Sequence, residues 1–178
     1  AAFQQVGGYS RVSHRVSGDD VLLLQLVRKY TDYNIIFAAH PESFAVSEPQ
    51  PTLRDFLNQR KRWASNGSIQ LKLNFGFFAY LMLVFLFNAF LTAVLVGALF
   101  TGQGWAAFGG CFGARAFFEF ILGIVATRYF RRPDVLRYFG LWFIGQIPYI
   151  LWTATLGTLG RFNWKEIGRA SCRERVYC

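Results

Sequence analysis

Residues 73–100 read LNFGFFAYLMLVFLFNAFLTAVLVGALF, a run without a single charge. At about 1.5 Å per residue, a helix of this length exceeds a hydrocarbon core of roughly 30 Å, so the run predicts a membrane-spanning helix. Two later segments share the character. Residues 105–127 are interrupted only by Arg115 and Glu119, and residues 139–159 contain no charge, although they include Gln146 and Pro148. A three-helix transmembrane region within residues 73–163 is the expectation.

The composition agrees with that reading. The 178 residues are 53% hydrophobic, 19% aromatic and 16% charged, with 19 Lys+Arg against 10 Asp+Glu. These values exclude a disordered tail and an ordinary soluble domain, and twenty Phe exceed the needs of one small core. Three Cys without a CxxC pair give neither a disulfide scaffold nor a zinc ribbon. The chain opens at Ala1 with no basic n-region or cleavage pattern, so the reading is an internal piece without a signal peptide. Residues 168–178 (GRASCRERVYC) break the composition abruptly. They resemble translated vector sequence, the alternative being a genuine basic tail.

Charge sets the expected orientation. The connection 101–104 has no charge, whereas 128–137 holds four Arg and one Asp, so the positive-inside rule places the latter in the cytoplasm. Residues 1–72, with nine Lys/Arg, are then cytoplasmic too. Within them, residues 20–30 (DVLLLQLVRKY) pattern as a helix, residues 33–39 (YNIIFAA) as a buried strand and residues 43–46 as a short strand. That alternation predicts part of an α/β domain over residues 1–51. Pro49-Gln50-Pro51 stops regular structure, and Thr52-Leu53-Arg54-Asp55 carries a capping signal for a helix within residues 52–72.

On that helix Leu53, Phe56, Leu57 and Ala64 share one stripe, while Gln59, Arg62, Trp63 and Asn66 share another. The second stripe sets an amide, a guanidinium and an indole side by side, a set suited to gripping a phosphate and stacking on a sugar. The same residues also suit an interfacial helix whose Arg60, Lys61, Arg62 and Trp63 sit at lipid headgroups. Upstream, Ser17-Gly18-Asp19-Asp20 places two carboxylates in the first turn of a helix. There the helix dipole favours the ionised form needed by a general base, and ordinary capping explains the same residues.

In order, Gly7-Gly8-Tyr9, Gly18-Asp19-Asp20, Ser47-Glu48-Pro49, Gln59-Arg60-Lys61-Arg62-Trp63 and then apolar spans resemble the C-terminal half of a membrane-bound family 2 glycosyltransferase. The branch resembled includes cellulose, chitin and hyaluronan synthases. QxxRW is intact, whereas Gly18-Asp19-Asp20 stands where the family usually has Thr-Glu-Asp. The resemblance implies a GT-A-like α/β fragment ahead of the membrane helices, in the bacterial inner membrane. It implies Asp20 as catalytic base, with Asp19 beside it, and Arg62 on the diphosphate, Trp63 on the sugar acceptor and Gln59 orienting its neighbours. The implied partners are a nucleotide-sugar donor, a polysaccharide or lipid-linked acceptor and membrane lipids, with no nucleic acid. Mg²⁺ or Mn²⁺ is implied for the full-length enzyme, but the family's DxD metal motif does not occur in this chain, so the 178 residues alone are expected to be inactive. The rival is a non-catalytic membrane anchor or headgroup-binding module.

Arg115 and Glu119 stand four apart within the second span, where an unpaired charge costs about 2.5–3.5 kcal/mol. Either they neutralise each other inside the bundle, or they line a path for a lipid phosphate or an exiting polymer. His14 and His40 lack partners at metal-ligand spacing. Arg11 and Arg15 have the RxxxR spacing of cyclic-dinucleotide receptor domains without the companion DxSxxG motif. Asn66-Gly67-Ser68 is a formal glycosylation sequon on the face expected to be cytoplasmic.

Overall fold

The computed structural model describes residues 1–12, 20–45 and 47–159, together with the backbone of residues 19, 161–164 and 168–171. Among the described residues seven α-helices follow in chain order: α1 (Ala2–Gln5), α2 (Asp19–Tyr30), α3 (Leu53–Ala64), α4 (Gly67–Leu73), α5 (Phe75–Thr101), α6 (Trp105–Tyr129) and α7 (Phe139–Leu159). Two strands, β1 (Arg161–Trp164) and β2 (Gly168–Ser171), pair antiparallel with Arg161 opposite Ser171. The chain divides into two compact units, residues 1–82 with 153–178, and residues 83–152.

The expected α/β, GT-A-like domain is not present. No strand forms among the described residues before α7. Residues 33–39, read as a buried strand, form no strand, and Ile36 and Phe37 are 87% and 71% exposed. The β-propensity of Ile35, Ile36 and Phe37 finds no partner strand among the described residues, and the Ala38 carbonyl accepts the Ser43 hydroxyl at 2.8 Å instead. Pro41–Ser43 forms a 3-10 turn instead of the start of a second strand, and Val46 lies outside the described residues.

In the first unit a small apolar cluster holds α1, α2 and α4 together. Leu22 and Leu26, one turn apart on α2, meet Val6 and Val12, with Ile69 and Leu73 packed alongside. Burying each leucine contributes roughly 1.5–3 kcal/mol. Asn74 separates α4 from α5. Its Oδ1 accepts the Phe77 N–H at 3.1 Å as the cap of α5, while its Nδ2 donates to Gln25 Oε1 at 2.9 Å. One side chain thus starts the first long apolar helix and ties it to α2.

Three helical stretches, Phe75–Thr101, Trp105–Tyr129 and Pro133–Leu159, are long and apolar enough to cross a membrane, consistent with a membrane protein. Gly102 and Gly104, with φ of 72° and 89°, allow the short reversal between α5 and α6. Within the second unit α6 and α7 meet through aromatic rings. Phe120 lies 5.1 Å from Phe139 and Phe112 4.9 Å from Phe143, both edge-on.

Candidate functional site

Helix α3 carries Gln59, Arg62 and Trp63. Its start is built by Thr52, whose Oγ1 accepts the Asp55 N–H at 3.1 Å and donates to Asp55 Oδ2 at 2.6 Å. That reciprocal cap satisfies an otherwise orphaned helix N–H. The helix stops at Ala64, so Asn66 does not extend the polar stripe of Gln59, Arg62 and Trp63. It is buried as the N-cap of α4. Leu53, placed on the apolar stripe by periodicity, is exposed, while Phe56, Leu57 and Ala64 are half-buried.

Gln59 and Arg62 are half-buried and Trp63 is 48% exposed. Arg60, read in the sequence as one of a basic cluster at lipid headgroups, packs on Trp63 instead. Its guanidinium carbon lies 4.3 Å from the Trp63 ring centroid and 4.9 Å from that of Phe56, and its Nε is buried without a hydrogen-bond partner. The signal was available in the spacing, because Arg60 is four after Phe56 and three before Trp63. Arg60 braces the Trp63 ring, and the exposed part of the indole remains able to stack.

The last turn of α7 approaches α3 closely. A Cβ added at Gly157 would stand 2.6 Å from Ala64 Cβ and 2.7 Å from the Lys61 carbonyl oxygen. Only a residue without a side chain fits there. Strand β1 also packs against α3.

Asp20 lies in the first turn of α2, exposed, with Oδ1 accepting the Val21 N–H at 2.7 Å. The backbone of Asp19 opens the same helix, whereas Ser17, Gly18, His14 and Arg15 lie outside the described residues. Helix α2 packs on α1 and α4, and α3 packs on β1, so the acidic and QxxRW motifs occupy different elements of one unit. Among the described residues no group of three His, Cys, Asp or Glu could hold a metal ion. His40 is exposed beside Glu42, at 3.8 Å. Cys111 is a free thiol.

Inside the second unit Arg115 is buried and doubly engaged. Its Nε donates to Glu119 Oε1 at 2.6 Å and its Nη1 to Asn88 Oδ1 of α5 at 2.8 Å, and its guanidinium carbon lies 5.3 Å from the Phe143 ring. The charge is neutralised on its own helix and hydrogen-bonded across to the preceding one, the arrangement of a structural pair. Asn88 was not legible as its partner.

No curated protein and no solved structure matches the chain. A family model described as glycosyl transferase family group 2 matches residues 1–159, taking in α2, the QxxRW helix α3 and all three long apolar helices. By that match the chain belongs to glycosyl transferase family group 2.

Proposed function

We propose that this chain supplies the acceptor side of an inverting sugar transfer from a nucleotide-sugar donor, at the cytoplasmic face of a bacterial inner membrane. The acceptor is a growing polysaccharide or a lipid-linked sugar, as in membrane-bound polysaccharide and glycolipid synthases. One observation carries the reading: Gln59, Arg62 and Trp63 stand intact on a capped helix just ahead of the first membrane-length helix, within the family match.

In this reading Asp20 takes the proton of the acceptor hydroxyl. The resulting oxygen attacks the anomeric carbon, the bond to the diphosphate breaks, and the configuration inverts as the nucleoside diphosphate leaves with the bonding electrons. Asp20 stands in the first turn of α2, and Asp19 precedes it in sequence. Arg62 offsets charge on the diphosphate, Trp63 stacks on the acceptor ring, braced by Arg60, and Gln59 orients neighbours by hydrogen bonds. The Mg²⁺ or Mn²⁺ that such transferases use has no fitting ligand set among the described residues, and the sequence has no DxD. In this reading donor and metal binding belong to the full-length parent, and the 178 residues alone are expected to be inactive.

Asp20→Asn in the full-length enzyme, assayed in membrane vesicles with labelled nucleotide sugars, should lower transfer by about 10²–10⁴-fold while insertion is unchanged. An active Asp20→Asn enzyme removes the base assignment. Trp63→Ala should reduce transfer to acceptor more than hydrolysis of donor, and equal losses would argue against stacking.

A further inference from the structure

Helix α6 ends in a conformation that its own sequence disfavours. The Arg132 N–H donates to the Thr127 carbonyl at 2.7 Å and the Arg131 N–H to the Arg128 carbonyl at 3.1 Å, the paired bonds of a Schellman cap. That cap requires a left-handed residue after Phe130, and the residue is Arg131, with φ of 55°. Among the described residues no other non-glycine has positive φ. Glycine takes this conformation freely, whereas a Cβ makes it unfavourable. Backbone geometry alone would select glycine at 131, so the guanidinium is retained against the local preference.

The surrounding segment supplies a use for it. Arg132 is committed to Asp134, with Nε and Nη2 donating to the two carboxylate oxygens at 3.0 Å each. That bond and the carboxylate charge hold the Arg132 guanidinium above its usual pKa range. Asp134 is the segment's one acid, so Arg128, Arg131 and Arg137 remain in excess, and all three are exposed. Tyr129, Phe130 and Tyr138 are exposed beside them, and Arg137 lies 4.7 Å over the Tyr138 ring. The segment takes in the end of Trp105–Tyr129 and the start of Pro133–Leu159, two stretches long and apolar enough to cross a membrane, and the ends of such stretches are expected at the depth of lipid headgroups. Cations with exposed aromatic rings at that depth match an anionic phosphate above a hydrocarbon boundary.

We propose that the connection from Arg128 to Tyr138 is a binding site for anionic lipid, with Arg128, Arg131 and Arg137 donating to the headgroup phosphate and Tyr129, Phe130 and Tyr138 seated at the boundary. This site is independent of the sugar-transfer reading.

The test is native mass spectrometry of the full chain released from detergent in equal amounts of phosphatidylglycerol and phosphatidylcholine. Phosphatidylglycerol should be retained in preference, and Arg131→Gly should lower its retention about 5-fold, the factor expected for one interfacial arginine. Arg28→Gln, an exposed cation on α2, should leave retention unchanged. Glycine suits the left-handed position, so Arg131→Gly should not lower the melting temperature. If it does, the Arg128→Gln/Arg137→Gln pair, which leaves the cap intact, decides. Equal retention of the two lipids overturns the site, as does undiminished retention in Arg131→Gly or, where that variant unfolds, in the pair. Displacement of phosphatidylglycerol by millimolar inorganic phosphate would make this a free-phosphate site and overturn the lipid assignment.

Discussion

Arg115 shows what a single residue can and cannot announce. Its spacing from Glu119 makes a pair available, but the hydrogen bond to Asn88 arises only when α5 and α6 lie side by side. Asn88 itself is one polar residue in a chargeless run and gives no hint of its partner. The arrangement predicts asymmetric losses. Glu119→Leu leaves a buried guanidinium without its counter-charge and should destabilise by about 3–5 kcal/mol, whereas the double change Arg115→Leu/Glu119→Leu should cost far less. Unfolding titration in mixed micelles compares them, and a double variant as unstable as the single would remove the structural pairing. Trp63 is a similar case: periodicity places it with Gln59 and Arg62, while the contact with Arg60 shows how its ring is held.

At the scale of elements, helix starts were legible and strands were not. The Thr52 cap follows from local chemistry, since its hydroxyl and the Asp55 N–H lie within one turn. The same local reasoning fails at residues 33–39, because a strand exists only through partners elsewhere in the chain. The contact of α3 with Gly157 was equally hidden, since a glycine in an apolar helix carries no mark of what it faces. Gly157→Leu should destabilise the protein by about 1–3 kcal/mol through overpacking. Ala64→Gly should restore part of that loss, because it removes one of the two clashing groups while the Lys61 carbonyl stays. A thermal melt unchanged by Gly157→Leu would show that the close approach is not needed.

For the whole molecule, charge and packing make separate demands. By the positive-inside rule, the arginine distribution leads one to expect residues 1–72 and 128–137 on one face of the membrane. The Gly157 approach and the β1 contact bring the end of α7 to α3, and so to that face as well. Together they predict that the end of α7 lies on the same face as α3, the face the positive-inside rule makes cytoplasmic. Impermeant thiol labelling in oriented vesicles reads this directly: Ser47→Cys, Asp134→Cys and Thr158→Cys should react from the cytoplasmic face and Gln103→Cys from the other. Labelling of Thr158→Cys from the opposite face would mean that α7 crosses and that charge and apolarity outweigh the α3 contact.

Hydrophobic run length, the Thr52 cap, the basic connection and the order of the acidic and QxxRW motifs are properties of neighbours in sequence, and from these the membrane helices and the family could be read directly. Tertiary structure alone decided that no strand forms among the described residues before α7, that Asn88 partners Arg115, and that α3 lies against Gly157. Each of these depends on which atoms the folded backbone brings within a few ångströms, and composition and periodicity carry no record of that.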